Sequence, residues 1–155
     1  MTELASVLAT AADWLAAVHP DDRQEIQDLL NLSDDESAHA LPEALAIGHD
    51  REAALMGVMC SVERGFFEEL AREFTSEMHD LLCSKKRKYE PQRKNLHTQM
   101  RRGGPVAIVS SISAALAPYL GQSATVIAPA VVVTVTLVGR VGLNAWCATY
   151  KARRK

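Results

Sequence analysis

The chain has 155 residues, 48% of them hydrophobic, and a formal net charge of −2, which suits one domain with a sizeable core. The near-neutral total hides a division: residues 1–82 hold 18 acidic and 4 basic side chains, a net of −14, and residues 83–155 hold 1 acidic and 13 basic, a net of +12. An acidic first half repels phosphate, which disfavours nucleic acid as a partner, and the asymmetry points instead to a membrane or to acidic/basic pairing within the chain.

Leu4, Val7, Leu8, Ala11, Leu15 and Val18 recur at helical spacing, with Thr2 as N-cap and His19-Pro20 as the stop. The start, Met1-Thr2-Glu3-Leu4, lacks the basic opening of a secretory signal, and Asp13 interrupts the apolar run, so this part is expected in the cytosol. Pro20 opens a second helix. Asp21, Asp22 and Glu25 favour the positive end of its dipole, and Ile26, Leu29 and Leu30 form its apolar face. Ser33-x-x-Glu36 reads as a capping box for a third short segment, which Pro42 interrupts or restarts.

A single long amphipathic helix is expected from about 50 to 84, capped by Asp50. Its stripe runs Leu55, Val58, Met59, Val62, Phe66, Leu70, Phe74, Met78, Leu81 and Leu82, and Gly57 and Gly65 each weaken it by about 1 kcal/mol. Such a face needs cover. The first two helices supply it within the chain; self-association through Leu55, Met59, Val62, Phe66, Leu70 and Phe74 supplies it between copies, so a homo-oligomer is expected.

The basic stretch follows: Lys85, Lys86, Arg87, Lys88, Arg93, Lys94, Arg101 and Arg102, with a helix opening at Pro91. Eight such residues near an anionic leaflet, at about 1 kcal/mol each, make lipid contact energetically sensible, and with Tyr89 as the run's one aromatic a single-strand stacking platform is missing. Gly103-Gly104-Pro105 then breaks the chain.

From Gly103 to Gly139 there are 37 positions without a charge. Such a stretch must be buried in a core or a bilayer. Two apolar pieces, 105–120 and 124–150, flank the turn-forming Pro118-Tyr119-Leu120-Gly121-Gln122-Ser123, so a helical hairpin is expected, its small residues letting the backbones approach. Basic residues gather at both ends of this region, the downstream group being Lys151, Arg153, Arg154 and Lys155. That pattern fits two crossings with both termini cytoplasmic. Arg140 would snorkel toward the basic end, with Trp146 and Tyr150 as interfacial anchors. Against this reading, the first piece has 16 residues where about 20 are needed to cross, and Val131-Val132-Val133-Thr134-Val135-Thr136 is β-branched enough for a buried strand.

No reaction is legible. Glu36-x-x-His39 has the spacing of a metal-binding pair on one helical face but lacks a second copy, Gly103-Gly104 leads to Pro105 rather than to a phosphate-loop lysine, and His19, His49, His79 and His97 share no ligand spacing. Cys60, Cys83 and Cys147 are odd in number and widely spaced, which suits a reducing compartment. No catalytic residue, metal or cofactor is expected.

Residues 85–155 resemble, in architecture, holins and small membrane effectors of bacterial defence modules, which pair apolar helices with charged cytosolic parts. The Gly103-Gly104 pair before an Ala/Val-rich, basic-ended tail is also similar to bacteriocin precursors, although 104 residues exceed the usual leader of that family. The expectation is therefore an all-α chain in three parts: 1–84, an acidic helical bundle containing the long helix; 85–102, a basic juxtamembrane helix or linker; and 103–155, an apolar hairpin with a basic tail. Its expected function is that of a membrane-inserting, pore-forming or membrane-perturbing effector, with anionic lipid bilayer as partner and a protein partner for the acidic helices. The alternative is a cytoplasmic all-α adaptor that buries the hairpin in its own core.

Overall fold

A computed structural model of the chain describes residues 14–31, 40–56, 64–83, 87–102 and 104–154; within them, the side chains of 15, 54–56, 64, 97, 99–102 and 150–154 are not described. The fold is all-α. Its described helices are α1 (Arg23–Leu30), α2 (Ala40–Met56), α3 (Arg64–Leu82), α4 (Glu90–Arg102), α5 (Pro105–Leu120), α6 (Ala124–Val141) and α7 (Leu143–Arg154), with 3-10 turns at Trp14–Ala17, Pro20–Asp22 and Arg87–Tyr89. The Thr2 cap, the capping box and the Glu36/His39 pair lie outside the described residues.

Pro20 begins its helix as expected. His19 caps the turn, its Nδ1 accepting from the Asp21 amide at 3.2 Å, and Ile26, Leu29 and Leu30 of α1 are buried. The expected long helix over 50–84 is replaced by two. Asp50 lies inside α2 rather than at its cap, and α2 packs against α3, which a continuous rod could not do. Pro42 is the third residue of α2, in the first turn, where no intrahelical partner for an amide is lost. The buried stripe of α3 is Phe67, Leu70, Ala71, Phe74, Met78, Leu81 and Leu82, so Phe67 occupies the inward phase expected of Phe66, and Phe66 is 41% exposed.

The apolar region divides at Gly121 and again at Gly142. Gly121, at φ +66°, ends α5 with its amide on the Ala117 carbonyl, and the Ser123 hydroxyl caps α6 through the Val126 amide. The second expected piece, 124–150, is two helices: Gly142 takes φ +90°, a conformation that side-chain-bearing residues rarely hold, and redirects the chain into α7. Val131–Thr136 is helical, so the strand alternative does not apply.

α6 sits at the centre, packed by α2, α5, α1, α7 and the Trp14–Ala17 turn. Arg51 near the end of α2 grips Asp22 at the head of α1 through two bonds of 3.0 and 2.8 Å, so α1 and α2 run antiparallel. At the far end of α1, Arg140 of α6 donates to the Leu30 carbonyl at 2.7 Å. The backbones of α2 and α6 approach closely at Gly48 of α2, where an added Cβ would overlap the Val126 carbonyl. A larger residue there would hold α2 off the central helix.

Candidate functional site

The candidate site is the α5–α6 hairpin with the groups that cover it. Among the described residues, α6 is the one helix long and apolar enough to cross a membrane, with 18 residues of mean hydropathy 1.9. By length α5, at 16 residues, spans about 24 Å against a hydrocarbon core of roughly 30 Å. The core helix of a soluble protein meets the same test as α6, and here Val126, Ile127, Ala130, Val131, Val132 and Val135 are all 0% exposed. The middle of the helix can be buried because its polar atoms are satisfied locally: the Thr134 hydroxyl donates to the Ala130 carbonyl at 2.9 Å and that of Thr136 to Val132 at 2.8 Å.

The other arm is different. Ile108, Val109, Ile112 and Leu116 of α5 face inward, while Val106, Ser110, Ala114, Pro118 and Tyr119 lie on the surface. This outer strip continues over the exposed tip residues Gly121, Ala124 and Thr125 without a charged group.

Around the hairpin, several of the basic residues expected at lipid are engaged within the chain. The Lys88 ammonium bonds both Glu77 carboxylate oxygens at 2.9 and 2.7 Å and stands 4.0 Å above the Tyr119 ring. Beside it, buried Tyr89 donates to Glu77 and meets Tyr119 edge-on at 5.0 Å between centroids. Burial first, then that hydrogen bond, pushes the Tyr89 phenol far above its ordinary value. Arg93 donates to the Leu81 and Asp80 carbonyls at 3.0 and 2.8 Å, closing the carbonyl end of α3 as Arg140 closes that of α1. The acidic/basic division read from the sequence is thus partly resolved as contacts of the basic segment with α3.

Arg87 is exposed, and Lys94 is exposed beside Glu90 at 3.8 Å. Trp146 is half-buried against the core, its ring 6.4 Å from that of His79. Lys85 and Lys86 lie outside the described residues, as do the side chains of Arg101, Arg102, Tyr150, Lys151, Arg153 and Arg154. Of the residues expected to self-associate, Leu70 and Phe74 are buried within the chain and Phe66 is on the surface; Met59, Val62 and the Leu55 side chain are not described.

No family model, curated protein or solved structure matches this chain. The functional argument therefore rests on the geometry. Two further features were not visible in the sequence. Cys83 at the end of α3 is disulfide-bonded to Cys147 of α7, across 64 residues. Between α1 and α2 lies an open groove of about 500 Å³, with Glu25, Asp28, Glu43 and Asp50 around Leu29, Ala46 and Ile47. Its carboxylates would repel anionic lipid. No cluster of His, Cys, Asp or Glu among the described residues has the arrangement of a metal site.

Proposed function

We propose that this protein is a membrane-active helical effector that keeps an apolar hairpin folded within its own bundle in water and gives it up to an anionic bilayer, which it perturbs or perforates. The observation that supports this reading is the uncharged outer face of the hairpin, exposed from Val106 to Thr125, behind which lies a helix of membrane-spanning length. Moving α6 from protein core to hydrocarbon exchanges one apolar surrounding for another, so the transfer itself costs little. The cost lies in releasing Lys88, Arg93 and Arg140 from their partners, and attraction of basic residues to an anionic leaflet, about 1 kcal/mol each, offsets it. Arg140 is next to the last residue of α6, a position from which its head group reaches the bilayer surface. Assembly of several copies, and cytoplasmic placement of both termini, belong to the same proposal.

A second reading, a soluble all-α interaction protein, draws on one specific observation. Arg140 is committed to the Leu30 carbonyl, and the middle of the helix it ends is packed by five of the chain's own elements. In that case the acidic groove between α1 and α2 and the strip on α5 are surfaces for protein partners.

Flotation of the full chain with phosphatidylglycerol vesicles and with phosphatidylcholine vesicles, combined with release of an entrapped dye, separates the two. Flotation and release confined to the anionic vesicles are expected. A protein that stays at the bottom of both gradients at low salt would leave only the soluble reading.

A further inference from the structure

The Cys83–Cys147 disulfide joins the end of α3 to α7. Cys83 and Cys147 have α-carbons 5.8 Å apart, and both residues are half-buried, so the bond is neither sealed in the core nor fully open. On one side it is anchored in the last turn of α3, where the Cys83 amide donates to the His79 carbonyl at 2.8 Å. On the other it holds α7, whose described side chains are those of residues 143–149. Leu143, Trp146 and Cys147 point to the bundle, while Asn144, Ala145, Ala148 and Thr149 are exposed. Immediately before α7, Gly142 combines a positive φ with open space around it, which is the local geometry of a hinge. A helix that follows a glycine hinge and is joined to the end of α3 by a covalent bond is positioned in part by that bond.

We propose that Cys83–Cys147 is a thiol-exchange site and that its redox state decides whether α7 is held on the end of α3. The co-reactant is a dithiol reductant. One of its thiolates attacks a sulfur of the bond, forming a mixed disulfide while the other cysteine leaves as a thiolate and takes up a proton. Its second thiol then displaces the remaining cysteine, so the bond gains two electrons and the dithiol becomes a disulfide. The reduced chain keeps α2, α5 and α6 packed and lets α7, with its basic end, swing about Gly142. The clasp does not rest on the membrane reading, since it concerns only the attachment of α7.

The test uses the full chain without vesicles. Maleimide labelling in denaturant, followed by intact mass, counts one free thiol (Cys60) before treatment with dithiothreitol and three after treatment under native conditions. Hydrogen exchange then rises at least tenfold over residues 143–149 on reduction and stays unchanged in α2 and α6. The variant Cys147→Ser reproduces the reduced pattern without reductant; should it fail to fold, reduction of the unmodified chain gives the same readout. Three labelled thiols in the air-oxidised protein, a bond that reduces only in denaturant, or unchanged exchange in α7 would each overturn the proposal.

Discussion

The two arms of the hairpin are alike in composition and opposite in environment. α5 and α6 carry no acidic residue and, apart from Arg140, no basic one, yet α6 is buried or partly covered from Val126 to Gly139, with its exposed residues confined to its two ends, while α5 presents a strip from Val106 to Tyr119 to solvent. Their buried polar atoms differ in the same sense. Thr134 in α6 returns its hydroxyl to the Ala130 carbonyl, whereas the Ser113 hydroxyl of α5, on a residue 1% exposed, has no hydrogen-bond partner among the described residues. Apolar composition therefore states that a helix must be buried and leaves open what buries it. The number of neighbours a helix gains, and how its few polar atoms are satisfied, decide between a core element and a surface one.

The sharpest way to break this contrast is to uncover α6. Gly48→Ala places a Cβ against the Val126 backbone, which cannot move aside as a flexible side-chain tip would. Alanine gains about 1 kcal/mol in helix propensity over glycine, but overpacking against backbone costs about 3 kcal/mol, so the repulsion wins. A loss of about 2 kcal/mol is expected from urea unfolding midpoints. An unchanged or raised midpoint would show that α2 does not approach α6 backbone to backbone.

Much of this arrangement was legible, and what was not has definable causes. The limits of α5 follow from Gly103-Gly104-Pro105 and Gly121, and the start of α6 from Ser123, because each is a local signal acting on its neighbours in sequence. Gly142 has an equally local role but stands among glycines and small residues that read as packing positions, so the break before α7 passed unseen. α2 was hidden for another reason: its inward residues, Ala40, Ala44, Leu45 and Gly48, are mostly small, and a face designed for close approach carries little hydrophobic signal. Arg140 with Leu30, 110 residues apart, and Cys83 with Cys147 are tertiary pairings that no spacing rule announces. The candidate site was thus legible as a hairpin, and its cover was not.

A second prediction sharpens the contrast at the outer arm. Tyr89 links the basic turn to α3 through Glu77 and to α5 through Tyr119, so Tyr89→Phe removes a hydrogen bond to a charged acceptor while keeping the ring contact. A loss of about 1.5 kcal/mol at neutral pH is expected. The pH dependence has a definite sign. The folded-state phenol is raised above its unfolded value of 10.0, so its contribution is complete below that pH and declines as the pH rises beyond it. Denaturation midpoints of the unmodified chain should therefore fall more steeply above pH 10 than those of Tyr89→Phe. Parallel curves would mean that Tyr89 is solvated and does not pin α5.

The smallest effect concerns Ser113, where the two arms differ by a single oxygen. Removing a buried hydroxyl that lacks a partner relieves its desolvation penalty, and the void left by one oxygen is small, so Ser113→Ala should stabilise the chain by about 1 kcal/mol. The corresponding change in the inner arm, Thr134→Ala, deletes a satisfied hydroxyl together with a packed methyl group and should destabilise by about 1–2 kcal/mol. Thermal midpoints that move in opposite directions would support the assignment of α5 as the imperfectly seated arm, the one whose polar atom gains from leaving the core. Midpoints that fall together would place Ser113 in a satisfied contact and remove that difference between the arms.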